Sequence, residues 1–274
     1  MIHLLIMMVE RVGVIVILGF LLAHTKVFRQ FLRKQQGYKG KAVLIFIFSL
    51  FSIISNYTGI EIQGTIIRSE DLLLKVDPSS SIANTRIMGV EMGGLLGGPF
   101  VGLGVGLLAG VHRFMLGGST AFSCAVSSVL AGVLTGYIGY TYRKKRRTIT
   151  PRFAALVGIA METLQMLIIL LFAKPFDAAW TLVSIIAIPM IIVNGTGSYI
   201  FLSIIQSILR QEEQMRALQT HKVLLIADQT LPHFRQGLTS ESCENVANII
   251  HRFTGTDAVS LTDTHKILAH VGEG

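Results

Sequence analysis

Long apolar stretches alternate with short polar ones over the first 208 residues of the chain. A bilayer core about 30 Å thick needs about 20 mostly apolar residues for each helix that crosses it. This pattern predicts a helical membrane protein and excludes a simple soluble enzyme. Six stretches meet the length requirement, at 2–24, 42–60, 87–111, 120–141, 153–173 and 180–208.

The third apolar stretch is unusual in its glycine content. Residues Gly89 to Gly118 include 11 glycines in 30 positions, with Pro99 in the middle. Glycine and proline weaken a helix, and broken backbone at membrane depth is tolerated only where protein buries it or where it lines a cavity. We therefore predict five spanning helices and one re-entrant or broken segment that turns near Gly98. The alternative is one complete helix whose glycines allow close helix packing.

Basic residues indicate how the helices are oriented. They are concentrated in two polar stretches, from Lys26 to Lys41 and from Arg143 to Arg152, and such stretches mark the cytoplasmic side. Five crossings then place the amino terminus outside and the carboxy terminus in the cytoplasm. The chain up to Arg210 holds 19 basic and 8 acidic residues, and the remainder holds 5 and 8. The positive charge thus belongs to the membrane part, which argues against nucleic-acid binding.

The region after residue 208 has a different, more polar pattern. Residues 209–228 are predicted to form a helical linker, and 229–274 the start of an α/β domain, with a helix at Ser242–Phe253 and short strands at Ala258–Leu261 and Ile267–Val271. The linker carries a heptad-like seam typical of a parallel coiled coil, unless it is only the frayed end of the last membrane helix. The seam positions are Ile204, Ile208, Gln211, Met215, Leu218, Lys222 and Leu225.

Candidate chemistry lies in ionisable residues beside the glycine-rich segment, since the chain has no P-loop, no G-x-S-x-G and no H-E-x-x-H motif. No catalytic residue, metal or cofactor is therefore expected. If the segment returns to its starting side, Arg86 and Arg113 converge near the outer surface, where two guanidiniums could hold a small anion. Cys124, Ser127 and Ser128 share one face of the following helix and could complete the pocket. Alternatively, the arginines reach lipid headgroups and the serines bond the backbone.

Two carboxylates also lie within apolar stretches. Glu91 is in the glycine-rich segment and Glu162 is in the fifth stretch. Either could neutralise an arginine, although a structural role with satisfied hydrogen bonds is the expected one.

Three motifs resemble the membrane sensor of LytS-type bacterial histidine kinases. They are NTRIMG at 84–89, GGLLGGPFVG at 93–102 and AGVHR at 109–113. The residues at 231–238, 257–259 and 269–272 resemble the opening of the GAF domain that follows this sensor. The resemblance therefore covers essentially the whole chain and implies a membrane sensor at 1–208 followed by a truncated GAF domain.

The resemblance also implies a function and a set of partners. It implies a homodimer that binds external pyruvate and signals through the GAF domain to a kinase outside this chain, and from there to a LytTR-type response regulator. Such systems control cell-wall hydrolases. Pyruvate agrees with the residue argument because it is a small carboxylate, for which Arg86, Arg113, Cys124 and Ser127 are the expected ligand-binding residues. Membrane lipid is the other expected partner. A small-solute carrier subunit and the sensor of a diguanylate cyclase are the alternatives.

Overall fold

In the computed structural model, which describes residues 2–33, 37–68, 72–235 and 237–273, the chain is mainly helical. Five helices are long and apolar enough to cross a membrane, as predicted: α1, α3, α6, α7 and α8. Residues 34–36, within the basic stretch from Lys26 to Lys41, lie outside the described residues. The helices are α1 (Ile2–Ala23), α2 (Lys26–Arg33), α3 (Tyr38–Tyr57), α4 (Arg86–Gly97), α5 (Pro99–Met115), α6 (Ala121–Lys144), α7 (Pro151–Phe172), α8 (Phe176–Arg235) and α9 (Ser240–Thr254).

The glycine-rich segment forms a broken hairpin of α4 and α5. The break is at Gly98, whose φ of 87° lies in the region that favours glycine. Pro99 begins α5, where its missing N–H needs no partner. After α5 the chain returns to where the hairpin began, because the Ser119 N–H donates to the Ser80 carbonyl at 2.8 Å. The predicted break near Gly98 is therefore confirmed, and the alternative of one complete helix is wrong.

Glycines also set the distance between α5 and α6. A Cβ atom on Gly102 would collide with the carbonyl oxygen of Gly132, and a Cβ on Gly132 would collide with that of Gly102. Small residues allow helix backbones to approach closely where the lipid offers no hydrophobic driving force. The glycines therefore do allow close helix packing, and they do so between α5 of the broken hairpin and α6.

A small antiparallel sheet between α3 and α4 was not predicted. Its strands are β1 (Ile60–Gln63), β2 (Ile66–Arg68) and β3 (Ser81–Ala83), in the order β2-β1-β3. Strands of three or four residues are too short for a clear alternating pattern. The one available signal is the apolar pair Ile60 and Ile62 followed by a turn at Gly64, whose φ is 59°.

The chain divides into two compact units at residues 208 and 209. In the second unit, α8 continues to Arg235, so the predicted linker at 209–228 is helical and its helix runs seven residues further. Helix α9 ends at the left-handed Gly255, and the strands β4 (Ala258–Thr262) and β5 (Ile267–Gly272) form an antiparallel hairpin. The predicted helix and hairpin are therefore both present, with Val246 and Ala247 of α9 buried.

Candidate anion-binding site

Arg86 and Arg113 lie at the two open ends of the hairpin. Arg86 is the first residue of α4 and Arg113 is in the last turn of α5, so the return of the chain brings them within electrostatic range of each other. Both side chains are 0% exposed. The predicted convergence is therefore found, but it occurs inside the protein. Neither arginine reaches outward to lipid headgroups.

Arg113 is held by the turn that follows it. Its Nη1 donates to the carbonyl oxygen of Gly117 at 2.5 Å, and its Nη2 donates to the Thr120 hydroxyl at 3.3 Å. The Cys124 side chain is also within interaction range of this guanidinium. The Nε of Arg113 has no hydrogen-bond partner among the residues that the structure describes. A buried guanidinium with an unused N–H can bind an anion by donating a hydrogen bond to it.

Arg86 has a single side-chain anchor in the described part of the chain. Its Nη2 donates to Oε1 of Gln165 in α7 at 2.6 Å. Its Nε and Nη1 are buried and find no partner within the described ranges. Together the two arginines present three buried nitrogen atoms with unused hydrogens. Since buried donors without acceptors are costly, this arrangement is typical of a site that binds an anion.

The predicted polar face of α6 is buried beside the arginines. The carbonyl oxygen of Cys124 accepts hydrogen bonds from the hydroxyls of Ser127 at 2.9 Å and Ser128 at 2.7 Å. Ser127 also contacts Oε1 of Gln165 at 3.2 Å. Ser128 thus follows the backbone-bonding alternative, whereas Ser127 belongs both to its own helix and to the cluster around Arg86.

Two buried carboxylates lie in α4 and α7, the helices that carry Arg86 and Gln165. Oε1 of Glu162 accepts from the Gln165 amide nitrogen at 3.1 Å, so Glu162 reaches Arg86 through Gln165. Oε2 of Glu91 accepts from the Ser198 hydroxyl of α8 at 2.7 Å. Both carboxylates are 0% exposed, but Oε1 of Glu91 and Oε2 of Glu162 have no hydrogen-bond partner among the described residues, so the expected role with satisfied hydrogen bonds is found only in part. Within the described ranges, no group of three or more His, Cys, Asp or Glu residues is arranged to hold a metal.

Sequence reasoning missed Gln165, Thr120 and Ser198. The best available signal was the spacing of Glu162 and Gln165, two polar residues three positions apart in an otherwise apolar helix. Such a pair lies on one helix face and must find polar partners inside the protein. Which partners they find depends on how α7 packs against α4, and that packing is not visible in the sequence.

An open cavity of about 580 Å³ lies beside Thr120. Because Thr120 both lines this cavity and accepts from Arg113, a single side chain separates the cavity from the arginine. Ser79 also lines the cavity and is fixed by Asp77, which accepts the Ser79 hydroxyl at 2.6 Å and its backbone N–H at 2.8 Å. These two bonds stabilise the carboxylate and lower the pKa of Asp77.

Comparison with known proteins identifies the family. A family model described as 5TMR of 5TMR-LYT matches residues 25–208. The chain belongs to this family of LytS-type membrane sensors. Three relatives match the whole chain. The Sensor protein LytS of Bacillus subtilis strain 168 is 73% identical, and the match covers 46% of that protein. The Sensor protein LytS of Enterococcus faecalis is 45% identical with 46% of it covered, and the Sensor histidine kinase/phosphatase LytS of Staphylococcus aureus strain N315 is 42% identical with 47% of it covered.

The comparisons confirm the resemblance carried by the glycine-rich motifs. The LytS-type module is a multi-pass membrane protein, in agreement with its five long apolar helices. It spans slightly less than half the length of the curated relatives that it matches. No solved structure matches the chain.

Proposed function

We propose that this LytS-type module is the receptor part of a two-component histidine kinase and that it binds a small external carboxylate of the pyruvate type. The observation that carries the proposal is the pair of fully buried guanidiniums, Arg86 and Arg113, in which three nitrogen atoms have no hydrogen-bond partner among the described residues. Planar carboxylates pair with guanidinium through two parallel hydrogen bonds. A ligand with one carboxylate supplies the acceptors that these arginines lack.

The other residues proposed for the ligand site are Cys124 and Ser127. Both are buried on the face of α6 that borders the arginines, so they form the wall against which the rest of the ligand packs. A thiol and a hydroxyl leave room only for a small group. Pyruvate, which has one carboxylate, one keto oxygen and one methyl group, fits this combination of charge and size.

The signalling route proposed for the protein follows α8. This helix is bonded to α4, the helix that begins at Arg86, through Ser198 and Glu91, and it continues to Arg235. With the amino terminus outside and the carboxy terminus in the cytoplasm, α8 would carry the signal through a dimeric coiled coil at 209–228 to a GAF domain that begins at about residue 229. A kinase beyond this chain and a LytTR-type response regulator that controls cell-wall hydrolases would complete the pathway.

A small-solute carrier is the second candidate function. The observation in its favour is the cavity of about 580 Å³ beside Thr120, next to a broken helix pair of the kind that lines transport sites. Uptake of labelled pyruvate into vesicles that contain the module would support the carrier. Binding without uptake supports the receptor.

Calorimetric titration of the purified module tests the receptor proposal. Pyruvate is compared with its primary amide, which has nearly the same shape but no charge. Saturable heat with pyruvate and much weaker binding of the amide are expected, because charge-assisted hydrogen bonds are about twice as strong as neutral ones. Equal binding of the two compounds, or none of either, would contradict the proposal.

A further inference from the structure

Gln165 is the residue that joins the proposed ligand site to the buried carboxylate Glu162. Its side-chain oxygen accepts from Arg86 Nη2 at 2.6 Å and from the Ser127 hydroxyl at 3.2 Å, and its nitrogen donates to Glu162 at 3.1 Å. The residue is 1% exposed, so water does not compete for these bonds. The three partners lie on α4, α6 and α7, the last being the helix of Gln165 itself, and together they fix this neutral side chain.

The orientation of the Gln165 amide follows from its neighbours. A guanidinium only donates hydrogen bonds, whereas an amide accepts them through its oxygen and donates them through its nitrogen. The amide nitrogen must therefore face Glu162 and the amide oxygen must face Arg86. The opposite orientation would place the amide nitrogen against the donors of Arg86 and the amide oxygen against the carboxylate oxygen of Glu162, and both bonds would be lost. The described hydrogen bonds of Glu162 thus go to Gln165 and not to Arg86.

The bond to Gln165 leaves Arg86 able to grip a carboxylate with two hydrogen bonds. A guanidinium has two forks, one formed by Nε with Nη2 and the other by Nη1 with Nη2, and each fork uses a different hydrogen of Nη2. The Gln165 oxygen occupies one of these two hydrogens. One complete fork stays open, in agreement with the absence of described partners at Nε and Nη1.

We propose that Gln165 is a positioning residue that anchors Arg86 with a neutral acceptor and so keeps its positive charge and one fork available for the anion. A carboxylate at position 165 would hold Arg86 equally well, but it would neutralise the guanidinium and compete with the ligand. The neutral amide in contact with Arg86 is therefore what leaves the site open to anions. This inference rests on the proposed function.

Exchanging the two side chains tests this role directly. The double variant Glu162→Gln/Gln165→Glu keeps the composition, the net charge and the bond between positions 162 and 165, but moves the carboxylate next to Arg86. We expect its affinity for pyruvate, measured by calorimetry on the purified chain, to fall at least tenfold. Glu162→Gln alone leaves the neutral anchor in place and should change the affinity by less than threefold.

A second variant keeps the test decisive if the exchange prevents folding. Gln165→Met has a similar volume but no strong acceptor, so Arg86 loses its anchor and the affinity should fall, although less than in the double variant. Pyruvate binding by the parent together with unchanged affinity in those variants that fold would overturn the role of Gln165 and leave the proposed function standing. No pyruvate binding by the parent would overturn both.

Discussion

The contact between Gly102 and Gly132 gives a quantitative test of the α5 and α6 packing. In Gly102→Ala, the new methyl group would meet the carbonyl oxygen of Gly132, which cannot rotate away as a side chain could. Overpacking costs about 1–3 kcal/mol, and a backbone obstacle places this case near the upper end. Alanine regains about 1 kcal/mol of helix propensity. The net loss of stability should therefore be roughly 2 kcal/mol.

The matched control is Gly13→Ala in α1, where a Cβ atom meets nothing within 4 Å. This variant gains helix propensity without a collision, so its stability should be unchanged or higher by up to about 1 kcal/mol. Unfolding followed by circular dichroism in detergent compares both variants with the parent. If Gly102→Ala is as stable as Gly13→Ala, the close approach of the two helices is refuted.

Three further predictions concern topology, dimerisation and the bond to α8. In a chain without its native cysteines, a cysteine at Ser119 should label from outside the cell and one at Thr148 only after permeabilisation; the reverse result would contradict the orientation. A cysteine at Met215 should crosslink two copies more efficiently than one at Ala217, whereas equal crosslinking would argue against a defined seam. Ser198→Ala removes a partner of the buried Glu91 and should lower stability by about 1–3 kcal/mol in the same unfolding assay, while an unchanged midpoint would contradict the bond.

Large features of the fold were visible in the sequence because they depend on local composition. Membrane helices need long apolar stretches, and the break at Gly98 follows from glycine and proline chemistry that acts within a few residues. The sheet was missed because Ile66–Arg68 and Ser81–Ala83 are only three residues long, and Ser81–Ala83 pairs with the distant strand residues Ile60 to Ile62. The short helix Lys26–Arg33 was missed although Val27, Phe28, Phe31 and Leu32 recur at helical spacing, because eight residues are too few to cross a membrane and their basic neighbours marked only a polar stretch.

The candidate site was visible only in part for a similar reason. Arg86 and Arg113 stand out because a charge in an apolar stretch is costly and needs an explanation. Gln165 is neutral and therefore attracts less attention, although it contacts Arg86 most directly. Its role arises from the packing of α7 against α4 and α6, which brings together residues that lie 38 and 79 positions apart. No spacing rule within one helix predicts such contacts.

The central claim is that the two buried arginines bind a small carboxylate, and the pyruvate affinity of arginine variants tests it most directly. Each charge-assisted hydrogen bond contributes about 1.5–3 kcal/mol, so Arg86→Ala and Arg113→Ala should each weaken binding about tenfold or more. Lysine at either position should restore only part of the affinity, because it lacks the planar fork. Arg147→Ala, at an exposed position, is the control and should bind like the parent. Parent-like pyruvate affinity in both alanine variants, with their helical circular dichroism intact, would contradict the account.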